Sequence, residues 1–172
     1  DGHLRLYGSS IPLKTHEGST TFVSYRQQDI KFSAETCLEL KNAKSGDEAG
    51  VSLYMDIESH YDIFLQKKGK QNIVTVRYHL GTMEHTTDIK VPSSKIWLKV
   101  SGDSFDYSLS WSEDGTNWHE AGRQKACYLS SETNWGFTGV MIGLYAYSPS
   151  EDQLVSDKDF HADFEYFEYK AE

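Results

Sequence analysis

Residues 30–40, IKFSAETCLEL, alternate between two kinds of side chain along their whole length. The first set is mostly apolar and the second mostly polar: Ile30, Phe32, Ala34, Thr36, Leu38 and Leu40 against Lys31, Ser33, Glu35, Cys37 and Glu39. Side chains of a β-strand point alternately to opposite faces of a sheet, so this stretch predicts a strand with one buried face. Burial of one face only is typical of antiparallel sheets.

The same period of two residues recurs through the rest of the chain. Alternating apolar residues occupy positions 51–57, 61–65, 74–80, 96–100, 105–111, 140–146 and 162–166. Segments rich in turn-forming residues separate several of these stretches, at 44–50, 67–72, 101–104 and 113–117. The pattern predicts an all-β protein of about ten or more short strands. We favour a sandwich of two packed antiparallel sheets over a small closed barrel, because such a barrel needs fewer strands.

Residues 107–118, YSLSWSEDGTNW, carry the clearest local motif. Alternating residues lead into Asp114-Gly115, where glycine suits a positive φ and the side chain of Ser112 or Asp114 can accept backbone N–H groups. The motif therefore predicts a β-hairpin. We interpret Trp111 and Trp118 as aromatic anchors of the sheet, and a sugar-stacking platform is the alternative.

Length, charge and cysteine content limit the class of protein. The chain has 172 residues, which suits one domain over residues 1–172, and its net charge of −9 argues against nucleic acid and anionic membranes. No apolar run approaches the roughly 20 residues of a membrane-spanning helix.

The first residues lack Met and enter an alternating pattern at once, so we expect a fragment of a longer protein. The only cysteines are Cys37 and Cys127, and the sequence does not decide whether a disulfide joins them.

Sequence signatures of catalysis are missing from the chain. It has no G-x-S-x-G elbow, no glycine-rich phosphate loop and no C-x-x-C or H-E-x-x-H motif, and its seven histidines lack metal-ligand spacing. Acidic pairs such as Asp56 and Glu58 are interpreted as a solvated face, because 26 acidic residues make such pairs common. We therefore predict no active site within the chain, and a lectin-like enzyme is the least favoured alternative.

One acidic segment is a candidate cation site. Asp157, Asp159 and Asp163 lie close together in the sequence, and carboxylate oxygens suit Ca²⁺. The segment lacks the glycine and the closing glutamate of an EF-hand loop, so a plain acidic loop is the favoured interpretation. No other cofactor is predicted.

Several motifs, in order along nearly the whole chain, resemble one known family. They are HLRLYGSS (3–10), YRQQDIKFSAETCLELK (25–41), EAGVSLYMDIESHYD (48–62), YSLSWSEDGTNW (107–118), YLSSETNWGFTGVMIGLYAYS (128–148) and ADFEYFEY (162–169). The chain is similar to the C-terminal concanavalin A-like β-sandwich domain of glycoside hydrolase family 43 β-xylosidases. The most specific parts are the Arg-Gln-Gln run at 26–28 and the glycine-framed run at 136–144. The sequence departs from the family at Tyr25, where such domains often carry an arginine.

The resemblance implies a non-catalytic role. In this family the catalytic carboxylates lie in a separate N-terminal five-bladed β-propeller, so this chain alone is not expected to hydrolyse xylan or xylo-oligosaccharides. A loop aromatic of the sandwich reaches the rim of the propeller's substrate pocket, and the matching residue here is Phe137. The alternative is that Phe137 packs into the edge of its own sheet. Arg26, Gln27 and Gln28 are expected near it, either facing the propeller or stabilising the sandwich.

A carbohydrate-binding module for xylan or a related polysaccharide is the rival interpretation. Aromatic faces stack on sugar rings in such modules, and the candidates here are Trp97, Trp135, Tyr145 and Tyr147. The two tyrosines are predicted to point away from the face formed by Val140, Ile142 and Leu144. That tyrosine face could equally be the surface that docks on the propeller.

Overall fold

The computed structural model describes residues 2–15, 17–135, 139–150 and 159–172. These residues form twelve β-strands and two short helical turns. The strands are β1 (Leu4–Tyr7), β2 (Thr21–Arg26), β3 (Phe32–Lys41), β4 (Glu48–Asp56), β5 (Ser59–Lys68), β6 (Gln71–Leu80), β7 (Met83–Val91), β8 (Lys95–Gly102), β9 (Asp106–Ser112), β10 (His119–Lys125), β11 (Met141–Tyr147) and β12 (His161–Ala171). A 3₁₀ turn covers Ala126–Leu129, and helix α1 covers Ser131–Asn134. No helix among the described residues is long and apolar enough to cross a membrane.

The strands form two six-stranded sheets. Sheet A has the order β1-β12-β3-β8-β9-β10, and sheet B has the order β2-β11-β4-β5-β6-β7. Every ladder between these strands is antiparallel. The predicted two-sheet antiparallel sandwich is therefore confirmed.

The core lies between the two sheets and is built from the alternating residues that define the strands. Sheet A contributes Phe32, Ala34, Leu38, Ile96, Leu98, Val100 and Leu109, and sheet B contributes Val51, Leu53, Ile63, Leu65, Val74, Val76 and Ile142, all of them buried. Removal of this apolar surface from water is the main contribution to the stability of such a fold.

Two residues of the 30–40 stretch depart from the expected pattern. Ile30 precedes β3 and is 68% exposed, because the strand begins only at Phe32. Cys37 is buried although it was assigned to the polar face, and its partner across the ladder on that face is the large side chain of Trp97. Burial raises the pKa of the Cys37 thiol to about 12. Cys37 and Cys127 are both free thiols, so no disulfide joins them.

The hairpin predicted at 107–118 is confirmed in its turn chemistry. Gly115 has a φ of 74°, and its N–H donates to Ser112 Oγ at 3.0 Å. The N–H groups of Thr116 and Asn117 each donate to Asp114 Oδ1 at 2.8 Å. Trp118 lies half-buried on the returning segment, with Lys99 Nζ 3.7 Å from its ring centre.

The connecting segments gather at two opposite ends of the sandwich. The ladders place Arg26 beside Met141, Met141 beside Tyr54, Phe32 beside Gly102 and Asp106 beside Lys125. Residues 27–31, 57–58, 103–105, 126–135 and 139–140 therefore lie at the same end. We call it the helical end, since the 3₁₀ turn and α1 are there.

Candidate functional site

A cleft of about 690 Å³ opens at the helical end. Four segments that are distant in sequence line it: residues 27–30, 103–104, 126–132 and 139–140, with Tyr107 at its side. The antiparallel registers bring these segments together, so the cleft is a consequence of the sheet topology. Its wall at 139–140 adjoins the segment that carries Phe137. Gly136, Phe137 and Thr138 themselves lie outside the described residues.

Gln27 is held firmly in the wall of this cleft. Tyr107 Oη donates to Gln27 Oε1 at 2.7 Å, Gln27 Nε2 donates to the Asp29 carbonyl at 2.9 Å, and the Gln27 N–H donates to the Val140 carbonyl at 3.0 Å. Burial raises the pKa of Tyr107 to about 12, so its hydroxyl keeps its proton at neutral pH. Gln27 therefore stabilises the sandwich at this end.

Arg26 and Gln28 are exposed on either side of Gln27. The backbone N–H of Gln28 donates to Tyr169 Oη at 3.3 Å, which fixes the loop while the Gln28 side chain stays at the cleft. Arg26 faces a neighbouring hollow lined by Tyr54, Ile57 and Met141 rather than the cleft itself. The three residues predicted as a group thus divide into the half-buried Gln27 and the exposed Arg26 and Gln28.

Several large apolar side chains are exposed at the helical end. Ile30 is 68% exposed, Phe105 is 73% exposed and Trp135 is 93% exposed. The alternating pattern predicted that Ile30 and Phe105 lie on the buried faces of strands. Both residues stand next to turn-forming residues, and this position was the sequence signal against their burial. Apolar side chains gathered around a cleft are typical of a surface that another molecule covers.

Trp135 combines exposure with an unfavourable backbone. It ends α1 with φ 54° and ψ 30°, a left-handed conformation that bulky residues seldom adopt. Such conformations persist where the surrounding structure imposes them, and they concentrate at functional positions. The conformation and the exposure together single out Trp135 as a residue with a role at the surface.

Asn134 and Thr133 tie down the segment that leads to Trp135. Asn134 Nδ2 donates to the carbonyls of Tyr128 at 2.7 Å and Ser130 at 3.0 Å, and its Oδ1 accepts the hydroxyl of Ser59. Thr133 Oγ1 donates to the Cys127 carbonyl at 2.7 Å. These bonds join the segment to itself and to β5, so Trp135 projects from an ordered support.

The other aromatic candidates lie away from the cleft. Trp97 is half-buried on the outer face of sheet A. The hairpin turn covers part of the Trp97 ring, because Gly115 is so close that an added Cβ would lie 2.8 Å from Trp97 Nε1. Tyr145 is only 1% exposed and Tyr147 is half-buried. Both tyrosines are on the outer side of sheet B as predicted, but residues 12–14 lie over them. The prediction of Tyr145 as an open sugar-stacking ring is therefore corrected.

The acidic segment gives no support to a cation site within the described residues. Asp157 lies outside the described residues, and Asp163 is bound to Arg5 through two hydrogen bonds of 2.7 and 2.8 Å. The bond to Arg5 lowers the pKa of the Asp163 carboxyl. The Asp159 carbonyl accepts from Asn42 Nδ2 at 3.3 Å, and in the described ranges no three His, Cys, Asp or Glu side chains gather around a common point for a metal. The calcium site stays a prediction.

Known proteins share both the sequence and the fold of this chain. The family model described as beta xylosidase C-terminal concanavalin A-like domain matches residues 1–170. A protein of Escherichia coli (strain K12) whose name includes beta-xylosidase is 31% identical over 180 residues, covering 98% of this chain and 32% of that protein. The non-reducing end alpha-L-arabinofuranosidase BoGH43B of Bacteroides ovatus is 25% identical, covering 99% of this chain and 31% of its own length.

A solved structure agrees with these matches. GH43B of the Bacteroides ovatus xyloglucan PUL has a TM-score of 0.87 with this chain at 25% identity, and the alignment covers 99% of this chain and 33% of that one. The chain therefore spans about a third of the length of the relatives it matches.

Proposed function

The chain belongs to the family of C-terminal concanavalin A-like domains of beta-xylosidases, and from this premise we propose that it is the accessory, non-catalytic part of a hydrolase that acts on xylan or arabinoxylan. Its work is to pack on an N-terminal catalytic β-propeller through the helical end and to complete the substrate pocket there with Phe137. The observation that carries the proposal is the exposure of Ile30, Phe105 and Trp135 at the end of the sandwich where the cleft opens.

The carboxylates of the cleft support a role without catalysis. Asp29 Oδ2 accepts the Tyr169 hydroxyl at 3.0 Å, and Asp103 Oδ1 accepts the N–H groups of Phe105 and Asp106 at 2.7 and 2.8 Å. The backbone bonds from Asp106 and Phe105 lower the pKa of Asp103. The lowered pKa of Asp103 is opposite to the raised pKa that the acid of glycoside hydrolysis needs. Asp29 and Asp103 both hold the loops through these hydrogen bonds.

The direction of β1 also supports docking at the helical end. Leu4 pairs with Phe164 and Tyr7 pairs with His161, so β1 runs away from the helical end. A domain upstream of β1 would therefore be connected from the side of the helical end.

We expect Trp135→Ala to weaken binding between this chain and the separately produced upstream catalytic domain by about tenfold or more, since central aromatic residues contribute most to interfaces. Binding is measured by calorimetry, and Trp97→Ala is the control because Trp97 lies on the outer face of sheet A. The unfolding midpoint of the isolated chain should not fall in Trp135→Ala, because the ring is 93% exposed. Equal affinity for the wild type and Trp135→Ala would contradict docking at this end.

Independent polysaccharide binding is the second candidate, and the exposed ring of Trp135 is the observation that favours it. The same variants separate the two functions. If xylan in an affinity gel slows the migration of the wild-type chain, and this effect is lost in Trp135→Ala, the chain is a carbohydrate-binding module. A chain that binds the catalytic domain and not xylan has the accessory function proposed first.

A further inference from the structure

The outer face of sheet B carries a buried group of charged side chains that is separate from the helical-end cleft. Asp62 is 0% exposed and Glu48 is 6% exposed. Arg77 lies between them: its Nε donates to Asp62 Oδ2 at 2.8 Å and its Nη2 donates to Glu48 Oε1 at 2.8 Å. Tyr145 Oη also donates to Glu48 Oε1, at 3.0 Å. Buried charges need such partners, because burial removes them from water.

His60 belongs to this group and has one nitrogen without a partner. Its Nδ1 lies 3.0 Å from both carboxylate oxygens of Asp62. Burial opposes ionisation of Asp62, but His60 and Arg77 outweigh it and lower the pKa of the carboxyl, which is therefore an acceptor only. Nδ1 must then be the donor, so the hydrogen-bonding capacity of the ring that remains is that of Nε2. Nε2 is buried and makes no hydrogen bond. A buried polar atom without a partner is costly and needs an explanation.

A small cavity adjoins this group. It has a volume of about 160 Å³ and lies between sheet B and residues 12–14, which we call the cover segment. Its lining is Pro12, Leu13, Lys14, Glu48, His60, Arg77, Tyr145 and Tyr147. A cavity of about 150 Å³ accommodates one six-membered ring. The cover segment is held by Leu13, which packs against Phe64 and Tyr145, and by the ion pair of Lys14 with Glu84 at 2.8 Å.

The chemistry of the lining selects the kind of ligand. Tyr145, Tyr147 and Leu13 provide apolar walls, and Glu48, His60 and Arg77 provide polar groups in a small number, as in sites for sugars and other small ligands. His60 Nε2 requires a ligand group that forms a hydrogen bond with it, and a hydroxyl group suits because it can both donate and accept. Lys14 and Arg77 are paired with three carboxylates, those of Glu84, Glu48 and Asp62, so acids outnumber these two cations and an anionic ligand is disfavoured.

We propose that this cavity binds one neutral monosaccharide in its six-membered ring form, beneath the cover segment, with a hydroxyl hydrogen-bonded to His60 Nε2. This site is independent of the accessory role at the helical end. It is too small and too covered for a polysaccharide chain, so it accepts a free sugar only.

The test uses the 172-residue chain with D-xylose as the probe. We expect the wild type to bind D-xylose with a Kd on the order of 1 mM, as suits a ligand of this size. The ¹⁵N resonance of His60 Nε2 should shift on titration, since it gains a hydrogen bond. D-glucuronate, the same ring with an added carboxylate, should not bind.

Two histidine variants complete the test. His60→Asn keeps a donor to Asp62 and removes Nε2, so the Kd for D-xylose should rise about tenfold or more. His79→Asn is the matched control, because His79 stacks on His60 at 4.8 Å and is absent from the lining. Its Kd should stay within about twofold of the wild type. The proposal is overturned if D-xylose leaves His60 unshifted at about 100 mM, if D-glucuronate binds equally, or if both variants bind as the wild type does.

Discussion

Arg77→Met is expected to lower the free energy of unfolding by about 3–5 kcal/mol at pH 7, because it leaves Glu48 and Asp62 buried without their cation. Arg77 donates to both carboxylates, at 2.8 Å each, and its side chain is only 17% exposed. Methionine has a similar length and keeps the apolar stem, so the loss reports on the charge and its hydrogen bonds. Urea unfolding followed by tryptophan fluorescence measures the change.

The pH dependence of this loss distinguishes an electrostatic cause from a packing defect. The pKa of Asp62 is lowered in the folded protein, so its ionised form stabilises the fold above the ordinary carboxyl pKa and this stabilisation is lost as the pH falls. Without Arg77 that contribution is smaller. Burial raises the pKa of Glu48 and Arg77 opposes this, so without Arg77 Glu48 takes up a proton more readily. The deficit of Arg77→Met should therefore be largest at neutral pH and above and should shrink as the pH falls.

Arg123→Met is the control for this prediction. Arg123 forms an ion pair with Glu120 at 2.7 Å, but both side chains are about half exposed. Exposed ion pairs contribute little, so its unfolding midpoint should equal that of the wild type. Equal losses in the two arginine variants, or a deficit in Arg77→Met that is constant with pH, would show that the buried group does not depend on Arg77.

Phe137→Ala is expected to reduce kcat/KM for xylobiose by about tenfold or more in the full-length enzyme that contains this domain. The reason is that the proposed function places Phe137 at the rim of the catalytic pocket, next to the docking surface formed by Ile30, Phe105 and Trp135. Steady-state hydrolysis of xylobiose measures the effect, and the melting temperature of the enzyme is recorded alongside it.

Trp118→Ala provides a matched aromatic control for Phe137→Ala. Trp118 follows the 113–117 turn, and the ladder between β9 and β10 places this turn at the end of the sandwich opposite the helical end. Its removal should leave xylobiose turnover unchanged. Unaltered turnover and melting temperature in Phe137→Ala would reject the pocket role while leaving the accessory role of the domain open to its own test.

Strands such as β8 and β9 were predictable because only one of their faces is fully buried. In β8, Ile96, Leu98 and Val100 are buried while Trp97 and Lys99 are half-buried, and this contrast is visible in the sequence as alternation. The edge strand β7 was not predicted, because most of its residues are exposed on both faces and no alternation results. The Asp114-Gly115 turn was predictable since its chemistry is local.

The candidate site was only partly predictable from the sequence. The resemblance directed attention to Gln27, Gln28 and the run at 136–144, and the structure brings Gln27, Gln28, Gly139 and Val140 to one cleft. The exposure of Ile30 and Phe105 depends on where a strand begins, and boundaries are the least reliable part of a pattern. The group of Glu48, His60, Asp62 and Arg77 joins residues of three strands whose register no local pattern reveals.

Hydrogen exchange of the full-length enzyme, compared with the isolated chain, tests the accessory role most directly. If the helical end packs on the catalytic domain, amides of residues 27–31, 103–105 and 126–135 exchange more slowly in the full-length enzyme, while those of β7 and β10 exchange equally in both. Identical exchange at the helical end in the two proteins, or protection confined to another face, would contradict the account.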